Sequence, residues 1–460
     1  MKIHFQKYNQ DNYLGLVLVH MAMGFVIYAF RPLGMIVFLG LVVYFTGRII
    51  LSTESQKTRE VLLACAYFVG AEVLFRMTKS TVSYEATKYL VIIFMMMGIF
   101  YKGLSGNGYV YLIYLFLLLP AVVMSSITLS LDANFRTNVA FVLSGPICLG
   151  VAALFCYDRK VSIKLLLDIM LYISLPIISL TAYIFFYAPS VKEIIANTAS
   201  NSAVSGGFGP NQVATALGLG MVALIIRIFL YSPNVILKLV NLSLFGAMTF
   251  RAFVTFSRGG VIAAVIVSVA FLWTIFWGSS LKQRNQIMAS FILFAVVGSL
   301  TWMISSNQSS GLLDKRYANE DALGREKEDI GTGRMGLFID EIEGFINNPF
   351  LGAGASRTKD IRIEDGSTHV PSHNEVGRLL GEHGIFGIAA LVILMVTPLV
   401  YRATNRRNFL FYVGFCFWFA TINHTGMRIA APAYLYALAL LNVTSNSKKL
   451  LQLRKSKPII

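Results

Sequence analysis

Apolar runs long enough to cross a bilayer recur along the whole chain, divided by short polar or charged breaks. They fall near 13–30, 33–51, 60–76, 86–101, 108–130, 138–157, 163–187, 211–231, 235–255, 260–278, 286–305, 377–401, 408–424 and 428–445. This pattern predicts an all-α polytopic membrane protein with about fourteen transmembrane helices. Between 235 and 278 the only interruptions are Arg251 and the stretch Ser257-Arg258-Gly259-Gly260, and the glycine pair is the expected helix break. The first run follows Lys2 and Lys7, reaches span length and has no small-residue cleavage site after it, so a retained span is expected rather than a signal peptide.

One stretch breaks the rhythm. Residues 306–376 are polar and carry more acids than bases, and a smaller polar loop spans 188–210. Within the long stretch, Met335, Phe338, Ile339, Ile342, Phe345 and Ile346 recur at helical spacing until Asn347-Asn348-Pro349. They predict an amphipathic helix beginning at Arg334 and lying on the membrane surface or on the bundle, with Asp340, Glu341 and Glu343 on its solvated face. The chain then divides into an N-terminal bundle (1–205), helices carrying polar motifs (206–305), one long loop (306–376), and C-terminal helices with a basic tail (377–460).

Composition sharpens this. Hydrophobic residues make up 56% of the 460 residues and charged residues 13%, against about 25% charged in soluble domains. Mean hydropathy is +0.66. A soluble enzyme and a nucleic-acid binder with a single anchor are excluded. The net charge of +16 is explained by its placement. With the N-terminus inside, Arg48, Lys57, Arg59, Lys102, Arg159, Lys160, Lys238, Lys282, Arg284, Arg402, Arg406, Arg407 and the tail lysines all fall on one side, and 306–376 falls on the other. That is a positive-inside bias, and no nucleic-acid partner is needed. Cys65, Cys148, Cys156 and Cys416 lie inside apolar runs without a Cys-x-x-Cys pair, and read as packing residues. No metal-ligand pattern is visible.

Four local constellations carry candidate chemistry. Gly206-Gly207-Phe208-Gly209-Pro210-Asn211-Gln212 opens a helix whose free N–H groups can hold an anion. In Phe256-Ser257-Arg258-Gly259-Gly260 an arginine stands at the hydrocarbon edge, where a partner or a function is usual; Arg251, seven residues earlier, shares its face if the helix continues. Gly331-Thr332-Gly333-Arg334 puts a cation at a helix start, against the dipole, which hints at a bound anion. Pro371-Ser372-His373-Asn374-Glu375 reads as a capping box with Ser372 as N-cap and Glu375 as its partner. It leaves His373 in the first turn, where a positive helix end keeps imidazole neutral and able to accept a proton. Gly377, Gly381 and Gly384 keep one face of the next helix small. His4, His20, His369, His383 and His424 are weaker candidates, and His424 and Arg428 merely flank a turn.

The ordered set of motifs resembles the O-antigen ligase and O-antigen polymerase superfamily of bacterial envelope glycosyltransferases. Gly-Pro-Asn-Gln at 209–212, Ser-Arg-Gly-Gly at 257–260, Gly-Arg at 333–334, Asn-Pro-Phe-Leu-Gly-Ala-Gly at 348–354 and His-Asn at 373–374 before Gly384-Ile385-Phe386-Gly387 carry the likeness. The resemblance implies a membrane fold of the glycosyltransferase C type in the bacterial inner membrane, with 306–376 and the active site at the periplasmic face. It implies an undecaprenyl-pyrophosphate-linked oligosaccharide as donor and no cofactor or metal. Carried over residue by residue, Arg258 and Arg334 hold the pyrophosphate and His373 acts on the acceptor hydroxyl as the catalytic set. Asn211, Arg251, Asn374 and Arg378 stand beside them as candidate substrate-binding residues. The expected reaction is inverting polymerisation of O-antigen or exopolysaccharide repeat units, favoured over ligation by the number of spans. The alternatives are ligation to a lipid A core or to a protein and, further off, a polysaccharide or lipid transporter. Expected partners are the lipid bilayer, the lipid-linked oligosaccharide, and a lipid A core acceptor or a chain-length regulator.

Overall fold

A computed structural model describes residues 12–444, apart from 132, 189, 233, 328–332, 365 and 367–371. His4, Gly331, Thr332, His369, Pro371, and the terminal lysines at both ends lie outside the described residues.

Each apolar run folds as helix. The N-terminal half contains α1 (Tyr13–Ala29), α2 (Pro32–Leu51), α3 (Lys57–Met77), α4 (Ala86–Lys102), α5 (Tyr109–Leu117), α6 (Leu119–Thr128), α7 (Phe135–Cys156) and α8 (Ile163–Tyr187). There follow α9 (Pro210–Leu230), α10 (Val235–Val254), α11 (Arg258–Trp277) and α12 (Leu281–Gln308). The long polar stretch holds α13 (Leu312–Tyr317), α14 (Arg334–Asn347) and α15 (Arg357–Glu364), and α16 (Glu375–Thr404), α17 (Phe411–Ile422) and α18 (Ala431–Ala439) close the bundle. Two three-residue strands, β1 (Lys160–Ser162) and β2 (Asn442–Thr444), pair in parallel and tie the two halves together.

Among the described residues, nine helical segments are long and apolar enough to cross a membrane. The other apolar runs behave differently. At about 1.5 Å per residue, α17 with 12 residues and α18 with 9 are shorter than a bilayer core. Every residue of α18 is buried inside the protein. Helix α3 is also interior, packed against α4, α8 and α18, and it carries Glu60, Glu72 and Arg76 within the core. The outer faces are apolar instead: Val43 is 73% exposed and Phe100 83%, as lipid-facing side chains are.

Two expectations about helix ends are corrected. The break between α10 and α11 falls at Thr255–Ser257, not at the glycine pair. Phe256 there adopts φ 60, a costly left-handed conformation for a bulky residue. Gly259 and Gly260 lie inside the first turn of α11, where a Cβ on Gly260 would sit 2.7 Å from the Thr215 nitrogen. The glycines serve close approach of α11 to α9. Because α10 stops at Val254, Arg251 and Arg258 are not on one continuous helix face.

The cap of α16 is Asn374, not Ser372. Asn374 Oδ1 accepts from the N–H groups of Val376 (2.9 Å) and Gly377 (3.1 Å), while Ser372 Oγ accepts from Asn374 N (3.2 Å). Helix α16 is itself broken at Gly384, with φ 60. A break leaves carbonyls without helical partners. The 348–354 motif fills that gap: Ala353 N donates to Gly381 O (2.9 Å), Gly354 N to Glu382 O (3.1 Å), and Ile385 N back to Pro349 O (2.8 Å).

Helix α14 begins at Arg334 and ends at Asn347 as its pattern predicts, and it lies on α16. Cβ atoms on Gly377 or Gly381 would collide with Phe338 and Glu341, so the small face of α16 is what admits α14. Glu341 is consequently fully buried rather than solvated. It lies 3.6 Å from Arg362 and accepts from Thr358 Oγ1 at 3.2 Å. Burial raises its carboxyl pKa.

Candidate anion site

The broken ends of α9, α11, α14 and α16 meet at one end of the bundle. Asn211 lies in the first turn of α9, and its Oδ1 accepts from Ser257 Oγ at 2.7 Å. That bond joins the first two sequence motifs and fixes the start of α11, where Arg258 is the first residue. Arg334, the first residue of α14, follows Gly333 at φ 79. His373 stands just before the Asn374 cap.

Charge brings these residues into one group. Burial and the neighbouring Arg258 both lower the pKa of Arg334. Burial, Arg258 and Arg334 together lower that of Arg316. Guanidinium groups that bear on one another in this way form a cluster of positive charge. Arg316 carries no motif that would single it out in the sequence. It is 7% exposed, and its Nε donates to the carbonyl of the strained Phe256 at 3.1 Å. The turn that delivers Ser257 and Arg258 therefore also anchors Arg316. The next residue, Tyr317, has its hydroxyl pKa pushed up to about 12 by burial, against the pull of Arg258 and Arg316.

His373 sits against this positive field. Its pKa falls to about 3, through burial first and then through Arg428, Arg334 and His424. Burial and the neighbouring cations favour the neutral imidazole. Its Nδ1 is buried and makes no hydrogen bond among the described residues. His424 and Arg428 also belong to the site, although by sequence they merely flank a turn. Arg428 Nη2 donates to Ser372 O at 3.0 Å. His424 Nδ1 lies 3.0 Å from Ala420 O, and Nε2 lies 3.1 Å from Thr215 Oγ1, whose hydroxyl donates to Asn211 O at 2.7 Å. Burial and Arg334 hold His424 near a pKa of about 4. Gly259 permits this packing, because a Cβ there would lie 2.6 Å from the His424 ring.

Three of the expected substrate-binding residues have local contacts within the protein. Arg251 is buried with its guanidinium 4.0 Å from the Phe185 ring centre. Arg378 pairs with Glu375 and donates to Val142 O at 2.6 Å, and Asn374 serves as the helix cap. Among the described residues, no group of three or more His, Cys, Asp or Glu side chains is placed to hold a metal ion.

An apolar cleft of about 500 Å³ opens beside the cations. Met221, Phe245, Phe253, Leu272, Phe294 and Trp302 are among the residues that line it. Helix α11 links the two regions: Arg258 is its first residue, while Val261, Val265 and Val269 farther along face the cleft. At one end of the cleft Trp302 meets Tyr317 edge-on, with ring centres 4.6 Å apart, next to Arg316.

Fold and site together define a mainly helical membrane protein with a half-buried arginine cluster, a neutral histidine and a neighbouring hydrocarbon-like cleft. Residues 243–392 match the family model described as O-antigen ligase, which supports the chain's place in the O-antigen ligase and polymerase superfamily. That stretch includes Arg258, Arg316, Arg334 and His373, whereas Asn211, His424 and Arg428 lie outside it. No curated protein matches the chain.

Proposed function

We propose that the protein is an inverting membrane glycosyltransferase that takes its glycan from a polyprenyl-pyrophosphate donor, with its site at the periplasmic face of the bacterial inner membrane. The observation that carries this reading is the grouping of Arg258, Arg316 and Arg334, with Arg334 and Arg428 also bearing on a neutral His373. Pyrophosphate leaves as an anion, and fixed guanidinium groups stabilise the charge that develops as the anomeric bond breaks. The acceptor hydroxyl attacks the anomeric carbon from the opposite side, and His373 takes its proton. The apolar cleft under Arg258 suits the hydrocarbon tail of the same donor. Bound pyrophosphate brings negative charge to His373 and raises its pKa from about 3 toward the range useful to a base.

Polymerisation of O-antigen or exopolysaccharide repeat units is the first reading for the product, carried over from the fourteen apolar runs of the sequence, of which nine described helical segments reach span length. Ligation to a lipid A core is the second, favoured by the description of the matching family. Reconstitution with lipid-linked repeat units, with and without a lipid A core, tests both. A ladder of lengthening chains without the core supports polymerisation. Transfer that requires the core supports ligation, and the absence of any transfer refutes the reading.

A further inference from the structure

The turn that carries His424 and Arg428 is held by charge from elsewhere in the chain. Four buried charged side chains reach the backbone of residues 427–430. Glu72 of α3 accepts from Ala430 N at 2.6 Å. Arg76, one helical turn on, donates to Arg428 O at 2.7 Å. Lys88 of α4 donates to Met427 O at 3.5 Å, and Glu375 of α16 accepts from Met427 N at 3.3 Å. Each carboxylate meets an N–H and each cation meets a carbonyl.

The same groups are paired among themselves. Arg76 lies 2.6 Å from Glu72 and 3.6 Å from Glu85, Lys88 pairs with Glu85, and Ser144 Oγ donates to Glu85 at 2.8 Å. Arg76 also donates to Gln212 Oε1 at 3.5 Å, beside Asn211, and lies over the Tyr84 ring at 4.2 Å. The side chains of Glu72 and Lys88 are fully buried, and that of Arg76 is 1% exposed. Buried ion pairs are poor sources of stability, since apolar replacements of similar size often do as well. What they do well is fix geometry through directed hydrogen bonds.

We propose that Glu72, Arg76 and Lys88 are positioning residues, a buried clamp by which the N-terminal bundle holds the 427–430 backbone and aims the Arg428 guanidinium at the His373 segment. This deepens the functional reading above and rests on it for its consequence, though not for the clamp itself. The N-terminal bundle thereby acquires a role at the donor site, which it touches through the backbone of a loop 352 positions away in sequence. A small displacement of a fixed charge in a preorganised site lowers the rate by about 10²-fold even when the altered residue is remote.

The test uses the full-length protein in detergent and has two readouts. The first is hydrogen exchange over 425–430, which needs no substrate. Arg76→Gln is expected to speed exchange there by about tenfold, the loss of one buried hydrogen bond. The second is glycan transfer in a double-mutant cycle. Arg76→Gln is expected to lower transfer by about 10²-fold in the parental background and to add almost nothing to Arg428→Ala, because it acts through that side chain. Arg76→Lys should restore part of the loss. Unchanged exchange, or an equal loss in both backgrounds, overturns the clamp. Should Arg76→Gln fail to accumulate because Glu72 is left unpaired, Glu72→Gln/Arg76→Gln removes both charges and is read the same way. If the parental protein transfers no glycan, the functional reading fails while the exchange result still decides the clamp.

Discussion

Arg428 donates from Nη2 to the carbonyl oxygen of Ser372 at 3.0 Å, so a guanidinium from the turn before α18 is tied to the residue that precedes His373. The bond makes the cation and the imidazole one unit although 56 positions separate its two ends. Burial is the first reason that His373 is hard to protonate, and the fixed charges of Arg428 and Arg334 add to it.

The pH dependence of transfer follows from that setting. In the free protein His373 stays neutral until the pH falls to about 3. Bound pyrophosphate cancels part of the positive field, so in the complex the imidazole protonates at higher pH. The acid limb of kcat should therefore lie at higher pH than the acid limb of kcat/KM, which reports the free protein. His373→Ala should slow transfer by about 10²–10⁴-fold and leave donor binding in place. Coincident acid limbs, or parental transfer by His373→Ala, would remove the base assignment.

Arg258, Arg316 and Arg334 should each tolerate lysine poorly, since lysine lacks the planar fork that grips pyrophosphate from two nitrogens. Each lysine variant is expected to lose about 10²–10³-fold in transfer rate at normal expression. Arg316→Lys carries a second cost, because Nε no longer holds the Phe256 carbonyl. Arg251→Lys, at a guanidinium that lies over the Phe185 ring, is the contrast and should change transfer far less. Near-parental transfer by all three cluster variants counts against an anion site.

Much of the fold is legible in the chain itself. The apolar runs are helices because a helix satisfies its own backbone groups in lipid, and the amphipathic stretch begins at Arg334 and ends at Asn347 as its spacing demands. The capping box misleads because Ser372 and Asn374 are both good caps, and sequence does not say which side chain reaches two free N–H groups. Glu341 falls on a polar face in projection, but a helical wheel cannot show that α15 and α16 cover that face. Arg316, His424 and Arg428 carry no local motif. They join the site through a strained carbonyl at Phe256 and through charges on α3 and α4, and those are tertiary facts.

The two candidate caps make opposite stability predictions. Asn374→Ala removes the acceptor for two N–H groups of α16 and should cost about 1 kcal/mol of stability. Ser372→Ala loses only a bond to the Asn374 N–H and should cost clearly less. Thermal unfolding of the purified variants in one detergent compares them. A larger loss from Ser372→Ala would restore the serine as the cap.

Orientation is tested by labelling. The lysine and arginine bias puts the 306–376 stretch outside and the turn after α16 inside. In a background without native cysteines, Glu320→Cys should react with a membrane-impermeant thiol reagent in spheroplasts, and Thr404→Cys only after lysis. The reverse pattern would invert the whole arrangement and move the arginine cluster to the cytoplasm.

The cleft beside the cations makes the most discriminating prediction, because it separates the donor's tail from its head. Gly298 lines the cleft, and a Cβ built on it meets nothing within 4 Å. Leucine there should fill part of the cleft without disturbing α12, and should favour the helix through its higher propensity. If the cleft holds the polyprenyl chain, Gly298→Leu raises KM for a long-chain donor and leaves kcat nearly unchanged, since tail contacts are equal in ground and transition states. A donor analogue with a truncated isoprenoid should be used equally well by the variant and the parent. Arg316→Lys should impair both donors, because both present the same pyrophosphate. Equal effects of Gly298→Leu on long and short donors would mean that the lipid tail lies elsewhere, and the cleft would then be a packing defect between α10, α11 and α12.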